Sequence, residues 1–81
     1  MNNIFAAKQY IDLRGTTCPL NFVRCKLVLE SLNLDDILEV DIDVGEPEDS
    51  VIEGLKKSGH RVEILLKNQS WIKLKVICGS G

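Results

Sequence analysis

The sequence predicts an α/β fold: a two-layer sandwich in which two helices cover one face of a four-stranded mixed sheet. Two observations lead to this prediction. Four strand-like segments and two segments of helical periodicity follow one another in the order β-α-β-α-β-β. A helix joins the first two strands, which should therefore be parallel, whereas a short polar connection joins the last two, which should form an antiparallel hairpin.

The chain has the length and composition of one globular domain. Its 81 residues are 44% hydrophobic and 27% charged, proportions that are typical of a soluble protein. We predict a flexible lead-in over residues 1–8, a single domain over residues 9–77 and a C-terminal tail over residues 78–81.

The first strand and the first helix meet at a short turn. Ile11 and Leu13 alternate with polar neighbours, which predicts a strand that ends at Gly15. The next segment, residues 19–32, has apolar residues at three- and four-residue steps and should be helical. The residues of this stripe are Phe22, Cys25, Val28, Leu29 and Leu32. Since Leu20, Val23 and Leu27 widen the stripe, we expect this helix to be well buried.

Three later segments are predicted to be strands, at residues 37–44, 62–66 and 71–77. The first of them alternates strictly from Glu39 onward and places three acidic side chains on its outer face: Glu39, Asp41 and Asp43. The last carries Lys73 and Lys75 at alternating positions. These acids and lysines could form cross-strand pairs if the two strands are neighbours.

A second helix is predicted over about residues 48–58. Acidic residues near its start and lysines near its end match the helix dipole, and Gly59 should terminate it. Gly54 is unfavourable in the middle of this helix, where glycine costs about 1 kcal/mol relative to alanine.

Charge and cysteine content exclude several classes of function. The net charge of −2 argues against nucleic acid as a direct partner, because phosphate binding requires concentrated Lys and Arg. No apolar run is long enough to span a membrane, and the first residues do not resemble a secretory signal. Three cysteines are an odd number and fit a reducing compartment, so we expect a cytoplasmic protein. One histidine and no Cys-x-x-Cys pair predict no bound metal, and we expect no cofactor.

Cys18 is the predicted reactive residue. Pro19 suits the first helical position, which would place Cys18 at the N-cap and fix the direction of its sulfur. Unpaired N–H groups at a helix start favour an anion, and therefore favour the thiolate of a cysteine there. Arg14 and Arg24 are near enough in sequence to add positive potential, and Arg14 could instead hold the turn through Asp12. The alternative is a buried, inert cysteine.

The other cysteines and the histidine are predicted to have lesser roles. Cys25 lies on the apolar stripe, roughly 10 Å along the helix from Cys18, and should be a core residue that cannot form a disulfide with it. Cys78 is expected to be an exposed bystander, or else a second thiol with a redox role. His60 is expected at the surface or in a turn, where it could contact a partner.

The stretch Leu13-Arg14-Gly15-x-x-Cys18-Pro19, together with the later Gly59-His60, resembles the TusA family of SirA-like sulfur carriers. The similarity covers about residues 9–77. It implies that Cys18 accepts sulfane sulfur as a persulfide from a cysteine desulfurase or a rhodanese-like donor. The sulfur would then pass to an acceptor protein in tRNA thiolation, cofactor synthesis or sulfur metabolism. Such a protein is a persulfide relay, a sulfurtransferase-type carrier, rather than a stand-alone enzyme.

One residue departs from the family pattern. The family has Cys-Pro-x-Pro where this chain has Cys18-Pro19-Leu20-Asn21, which indicates a divergent branch. Asn21 restores a backbone N–H and should add a side-chain amide near the thiol. The predicted supporting residues around Cys18 are Pro19, Arg14, Gly15, Asn21 and Arg24. Two alternatives stay open: a regulatory or protein-interaction module in which Cys18 is structural, and a redox protein that uses Cys18 with Cys78.

Overall fold

The computed structural model describes residues 8–79 of the chain. Most of the predicted lead-in and the last two residues of the predicted tail lie outside the described residues; Lys8 belongs to the first strand. The elements are β1 (Lys8–Asp12), α1 (Leu20–Glu30), β2 (Ile37–Asp43), α2 (Glu46–Lys57), β3 (Arg61–Lys67) and β4 (Trp71–Ile77). Their order confirms the predicted β-α-β-α-β-β arrangement.

The four strands form one mixed sheet in the order β1-β2-β4-β3. β1 and β2 are parallel, with Ile11 opposite Val40, and the β2–β4 and β3–β4 pairs are antiparallel. The predicted parallel pair and the predicted hairpin are both confirmed. β4 therefore lies between β2 and β3, which makes β1 and β3 the edges of the sheet.

The core lies between the sheet and the helices. Alternate residues of the two central strands are fully buried: Leu38, Val40 and Ile42 of β2, and Ile72, Leu74 and Val76 of β4. The helices cover them with Cys25 and Leu29 of α1 and with Val51 and Leu55 of α2. Burying a large aliphatic side chain stabilises a fold by roughly 1.5–3 kcal/mol, so this layer holds the domain together.

The prediction that α1 is well buried is wrong for one side of the helix. Leu20, Val23 and Leu27 are 52%, 44% and 61% exposed. A helix of a two-layer sandwich is covered only where it meets the sheet and its neighbouring helix, and these three side chains lie on the other side. None of the helices in residues 8–79 is long and apolar enough to span a membrane.

The outer face of the sheet carries ion pairs between neighbouring strands. Asp41 of β2 lies 3.0 Å from the Lys73 ammonium of β4, which confirms the expected cross-strand pairing. The Tyr10 hydroxyl donates to the same carboxylate, and this hydrogen bond raises the pKa of Tyr10 to about 12. Glu39 pairs with Lys8 of β1 at 2.9 Å. Asp41 is nearly buried, at 4% exposure, although the alternation of β2 places it on the outer face. The Lys8 side chain is largely exposed, and a solvent-exposed pair stabilises by no more than about 1 kcal/mol.

Candidate active-site loop around Cys18

The loop between β1 and α1 is built as a tight turn. The buried Leu13 donates its N–H to the Asp41 carbonyl at 2.8 Å, which extends the pairing with β2 by one residue. Gly15 has a φ of +81°, in the left-handed region that favours glycine. Thr16 then donates its N–H back to the Leu13 carbonyl at 3.0 Å. The turn therefore delivers residues 17–19 to the start of α1.

Cys18 lies at this helix start and is exposed. The predicted cap is one residue off: Pro19 is the N-cap, with a φ of −94° and a ψ of 6°, and α1 begins at Leu20. The backbone of Pro19 is not yet helical, so Cys18 precedes the cap instead of forming it. The Cys18–Pro19 peptide bond is cis.

Backbone donors near the sulfur divide into two groups. The N–H groups of Asn21 and Val23 donate to the carbonyls of Thr17 and Pro19 at 3.1 and 3.0 Å. The N–H groups of Thr17, Cys18 and Leu20 have no acceptor among residues 8–79. Three unpaired backbone donors therefore lie at Cys18 or within two residues of it along the chain.

Asn21 is turned into the core. The residue is fully buried, and its Oδ1 atom accepts the Phe22 N–H at 2.7 Å. Its buried Nδ2 atom has no partner in the described part of the chain. Its side-chain oxygen thus satisfies one of the first helical N–H groups, and its amide is shielded from water.

Arg14 is held on the outer face of the sheet. Its guanidinium makes two hydrogen bonds with the Asp12 carboxylate, at 2.9 and 3.0 Å, and its backbone N–H donates to the same group at 3.1 Å. The guanidinium also lies 5.1 Å from the centre of the Trp71 ring. These bonds lower the pKa of Asp12 to about 2. Arg14 therefore holds the turn through Asp12, which is one of the two roles expected for it.

Arg24 belongs to α1, the helix that follows this loop. It lies on the exposed side of α1, between Val23 and Leu27, and forms no ion pair with any carboxylate in residues 8–79. Of the predicted supporting residues, the structure brings Arg14, Gly15 and Pro19 together in the loop that carries Cys18.

Sequence reasoning missed Asp43. Its Oδ2 atom accepts the Gly15 N–H at 2.9 Å, which ties the Cys18 loop to the end of β2. The alternation of β2 indicated only an acidic outer face for this residue. The available signal was the parallel pairing of β1 with β2, since the carboxyl ends of parallel strands meet at the same edge of a sheet.

The other two thiols are shielded. Cys25 is fully buried, as predicted, and burial raises the pKa of its thiol to about 12. The expectation that Cys78 is exposed is wrong, because the chain continues past β4 and pairs with Asp35 and Asp36 through backbone hydrogen bonds of 2.9 and 2.8 Å. Burial and these nearby carboxylates raise the pKa of Cys78.

The sequence predicts His60 at the surface or in a turn; it directly follows the turn at Ser58 and Gly59, but it is buried. It is 8% exposed, and its Nδ1 atom accepts the Gly79 N–H at 2.9 Å. Burial and the nearby Lys26 ammonium lower the pKa of His60. The imidazole thus anchors the end of the chain that follows β4.

Comparisons with known proteins agree on one family. Residues 9–77 match the family described as "Sulfurtransferase TusA". Two curated relatives named "Putative sulfur carrier protein" are similar. The one from Archaeoglobus fulgidus is 36% identical over 56 residues, which are 69% of this chain and 64% of the relative. The one from Thermotoga maritima is 38% identical over 52 residues, which are 64% of this chain and 66% of the relative.

A solved structure has the same fold. The crystal structure of the SirA-like protein from Desulfitobacterium hafniense superposes with a TM-score of 0.76 and 23% identity, over 89% of this chain and 99% of that protein. This chain spans just under two thirds of the length of each curated relative. The match to the family covers residues 9–77, which is most of this chain. This chain belongs to the TusA family of sulfurtransferases.

Proposed function

We propose that this chain is a sulfur carrier that holds sulfur as a persulfide on Cys18. Family membership and the names of the two relatives support a role in carrying sulfur. One observation assigns this role to Cys18. Of the three thiols, Cys18 is the exposed one, and it lies in the loop that leads into α1.

The reaction is an exchange between sulfur atoms. The Cys18 thiolate attacks the outer sulfur of a donor persulfide and forms a new S–S bond. The donor's own S–S bond breaks, and its electron pair leaves with the inner sulfur as a thiolate. No external oxidant or reductant is consumed, because the sulfane sulfur keeps its oxidation state. The same step in reverse direction, with an acceptor thiolate as nucleophile, unloads the carrier.

The surroundings of Cys18 suit an anionic sulfur. The N–H groups of Thr17, Cys18 and Leu20 have no acceptor among residues 8–79, and α1 begins two residues after Cys18. Unpaired backbone donors and the positive end of a helix dipole favour an anion close to them. Exposure of the sulfur allows a second protein to bring its own cysteine within bonding distance.

The alternatives have less support. A redox pair of Cys18 with Cys78 would require a thiol that is 5% exposed and has a raised pKa to reach a loop on the surface. A structural role for Cys18 would require burial or a partner for its sulfur, and the described residues provide neither.

The proposed partners follow from the reaction. A cysteine desulfurase or a rhodanese-like protein would load Cys18, and a second protein with a reactive thiol would remove the sulfur for tRNA thiolation, cofactor synthesis or sulfur metabolism. Because all three thiols are free, we place this chemistry in the reducing cytoplasm.

Mass spectrometry of the intact protein tests the proposal. The chain is incubated with a panel of persulfide donors, including a cysteine desulfurase with cysteine, and compared with the Cys18→Ser variant. We expect a gain of one sulfur atom in the native chain, reversed by reductant and absent in the variant. No gain with any donor would favour a non-catalytic module instead.

A further inference from the structure

Asp43 differs from the other acids on the outer face of β2. Glu39 pairs with the Lys8 ammonium at 2.9 Å, and Asp41 pairs with the Lys73 ammonium at 3.0 Å. Asp43 forms no ion pair with any cation in residues 8–79, and its carboxylate accepts the backbone N–H of Gly15 at 2.9 Å. One acid of the three is therefore committed to the loop that carries the reactive cysteine.

The bond from Asp43 holds a defined point of that loop. Gly15 lies three residues before Cys18, at the position where the backbone takes its left-handed φ of +81°. The residues directly before and after Cys18 are held by the helix, because the carbonyls of Thr17 and Pro19 accept N–H groups of α1. Asp43 is the one described side chain from another strand that bonds to this loop.

Asp12 cannot replace this contact. Its carboxylate bonds to Arg14, and the two residues are only two positions apart, at the end of β1 and in the turn after it, so that this pair shapes the turn locally. The bond from Asp43 instead joins the loop to β2, across 28 residues of sequence. With the bond from the Leu13 N–H to the Asp41 carbonyl, it holds the start of the loop against the sheet, and it is the contact nearer to Cys18.

We propose that Asp43 is a positioning residue for sulfur transfer at Cys18. Its carboxylate fixes the Gly15 peptide and, through it, the direction in which the thiolate meets a donor persulfide. This inference rests on the proposed function. Attack on an S–S bond requires the reacting atoms to be aligned, and misplacement of a reacting group slows such a step strongly. A hydrogen bond to a carboxylate is stronger than one to a neutral acceptor and suits this purpose.

Three variants separate positioning from charge. Asp43→Ala removes the acceptor, whereas Asp43→Asn removes the charge and keeps a side-chain oxygen that can accept from Gly15. Glu39→Ala is the matched control, because it removes a carboxylate from the same face of the same strand without touching the loop. The rate of sulfur loading from a cysteine desulfurase and the amide exchange of Gly15 are measured on each variant after folding is verified by circular dichroism.

We expect Asp43→Ala to load sulfur about tenfold more slowly and its Gly15 amide to exchange about tenfold faster, as loss of a hydrogen bond to a carboxylate predicts. Asp43→Asn should restore most of the loading rate, and Glu39→Ala should load within about twofold of the native chain. If Asp43→Ala does not fold, Asp43→Glu gives the same test, because it keeps the charge but displaces the carboxylate by one methylene and should also load slowly.

The outcomes distinguish this inference from the function on which it rests. A native chain that takes up no sulfur would overturn the proposed function. If the native chain and Asp43→Ala take up sulfur equally fast, the proposed function stands and only the role of Asp43 is overturned. Equal losses in Asp43→Asn and Asp43→Ala would also overturn it, since charge and not the bond to Gly15 would then control the rate.

Discussion

The Phe22 ring of α1 occupies the space in which a β-carbon on Gly54 of α2 would lie. A β-carbon at that position would be 2.7 Å from Cε1 of the ring and 3.0 Å from Cδ1. Glycine in mid-helix, which is unfavourable for an isolated helix, therefore allows the two helices to approach each other. The lower helix propensity of glycine is offset here by the close packing of α1 against α2.

Replacing Gly54 by alanine should destabilise the fold. Alanine favours the helix by about 1 kcal/mol, but the crowded ring must move, and overpacking of this kind costs about 1–3 kcal/mol. We expect a lower midpoint of urea unfolding for Gly54→Ala. In a Phe22→Leu background, where the side chain is smaller, the same substitution should cost less or stabilise. A gain in stability in the native background would contradict the close approach.

His60 should make the fold less stable in acid. Its pKa is lowered by burial and by Lys26, so the folded chain binds fewer protons than the unfolded chain near the ordinary pKa of 6.5. The contribution of neutral His60 is complete above that value and is lost as the pH falls through 6.5 and then through the lower pKa of the folded state. Protonation of Nδ1 also removes the acceptor for the Gly79 N–H.

Urea unfolding at several pH values measures this effect. Between neutral and mildly acidic pH, the native chain should lose more stability than His60→Asn, which has no group that titrates there. Because the chain has one histidine, its NMR titration is read without overlap. A titration midpoint of the folded chain at or above 6.5 would contradict the burial of this imidazole.

Arg14 should control the ionisation of Asp12. The paired bonds from the guanidinium lower the pKa of Asp12 to about 2, and a lysine cannot make both bonds at once. We expect Arg14→Lys to move the carboxyl titration of Asp12 upward, toward its ordinary value of 3.8. Arg24→Lys, on the exposed side of α1, is the matched control and should leave it unchanged. An unchanged titration in Arg14→Lys would show that the pair does not form in solution.

The order and pairing of the helices and strands could be predicted from the sequence. Which sides of the helices are buried could not. The alternation from Glu39 onward predicts the buried positions Val40 and Ile42 in β2. The exposed side of α1 could not be predicted, because a stripe of apolar residues does not say whether a second layer covers it. Leu20, Val23 and Leu27 extend the pattern of the core and yet face away from it.

The parts of the candidate site that depend on neighbouring residues could be predicted from the sequence. The turn at Gly15 and the helix start after Cys18 follow from residues within one short motif. The bond between Asp43 and Gly15 and the burial of Cys78 and His60 depend on which distant segments meet. These contacts follow from strand register and chain-end packing, which a local pattern does not contain.

The three thiols should differ strongly in reactivity toward iodoacetamide at neutral pH. Cys18 is exposed, whereas Cys25 is fully buried with a pKa of about 12 and Cys78 is buried with a raised pKa. Mass analysis of the native protein should show one alkyl group, which is absent in Cys18→Ser. In urea, all three thiols of the native sequence should react. Comparable labelling of Cys25 or Cys78 without denaturant would contradict the buried positions of these residues.

The most direct test of the account is to locate the transferred sulfur. The chain is loaded by a cysteine desulfurase with cysteine, alkylated, digested and analysed by tandem mass spectrometry, with Cys25→Ser and Cys78→Ser as controls. We predict one additional sulfur on the peptide that contains Cys18, in the native chain and in both controls. Sulfur found on Cys25 or Cys78, or on no cysteine at all, would contradict the assignment of Cys18 as the carrier residue.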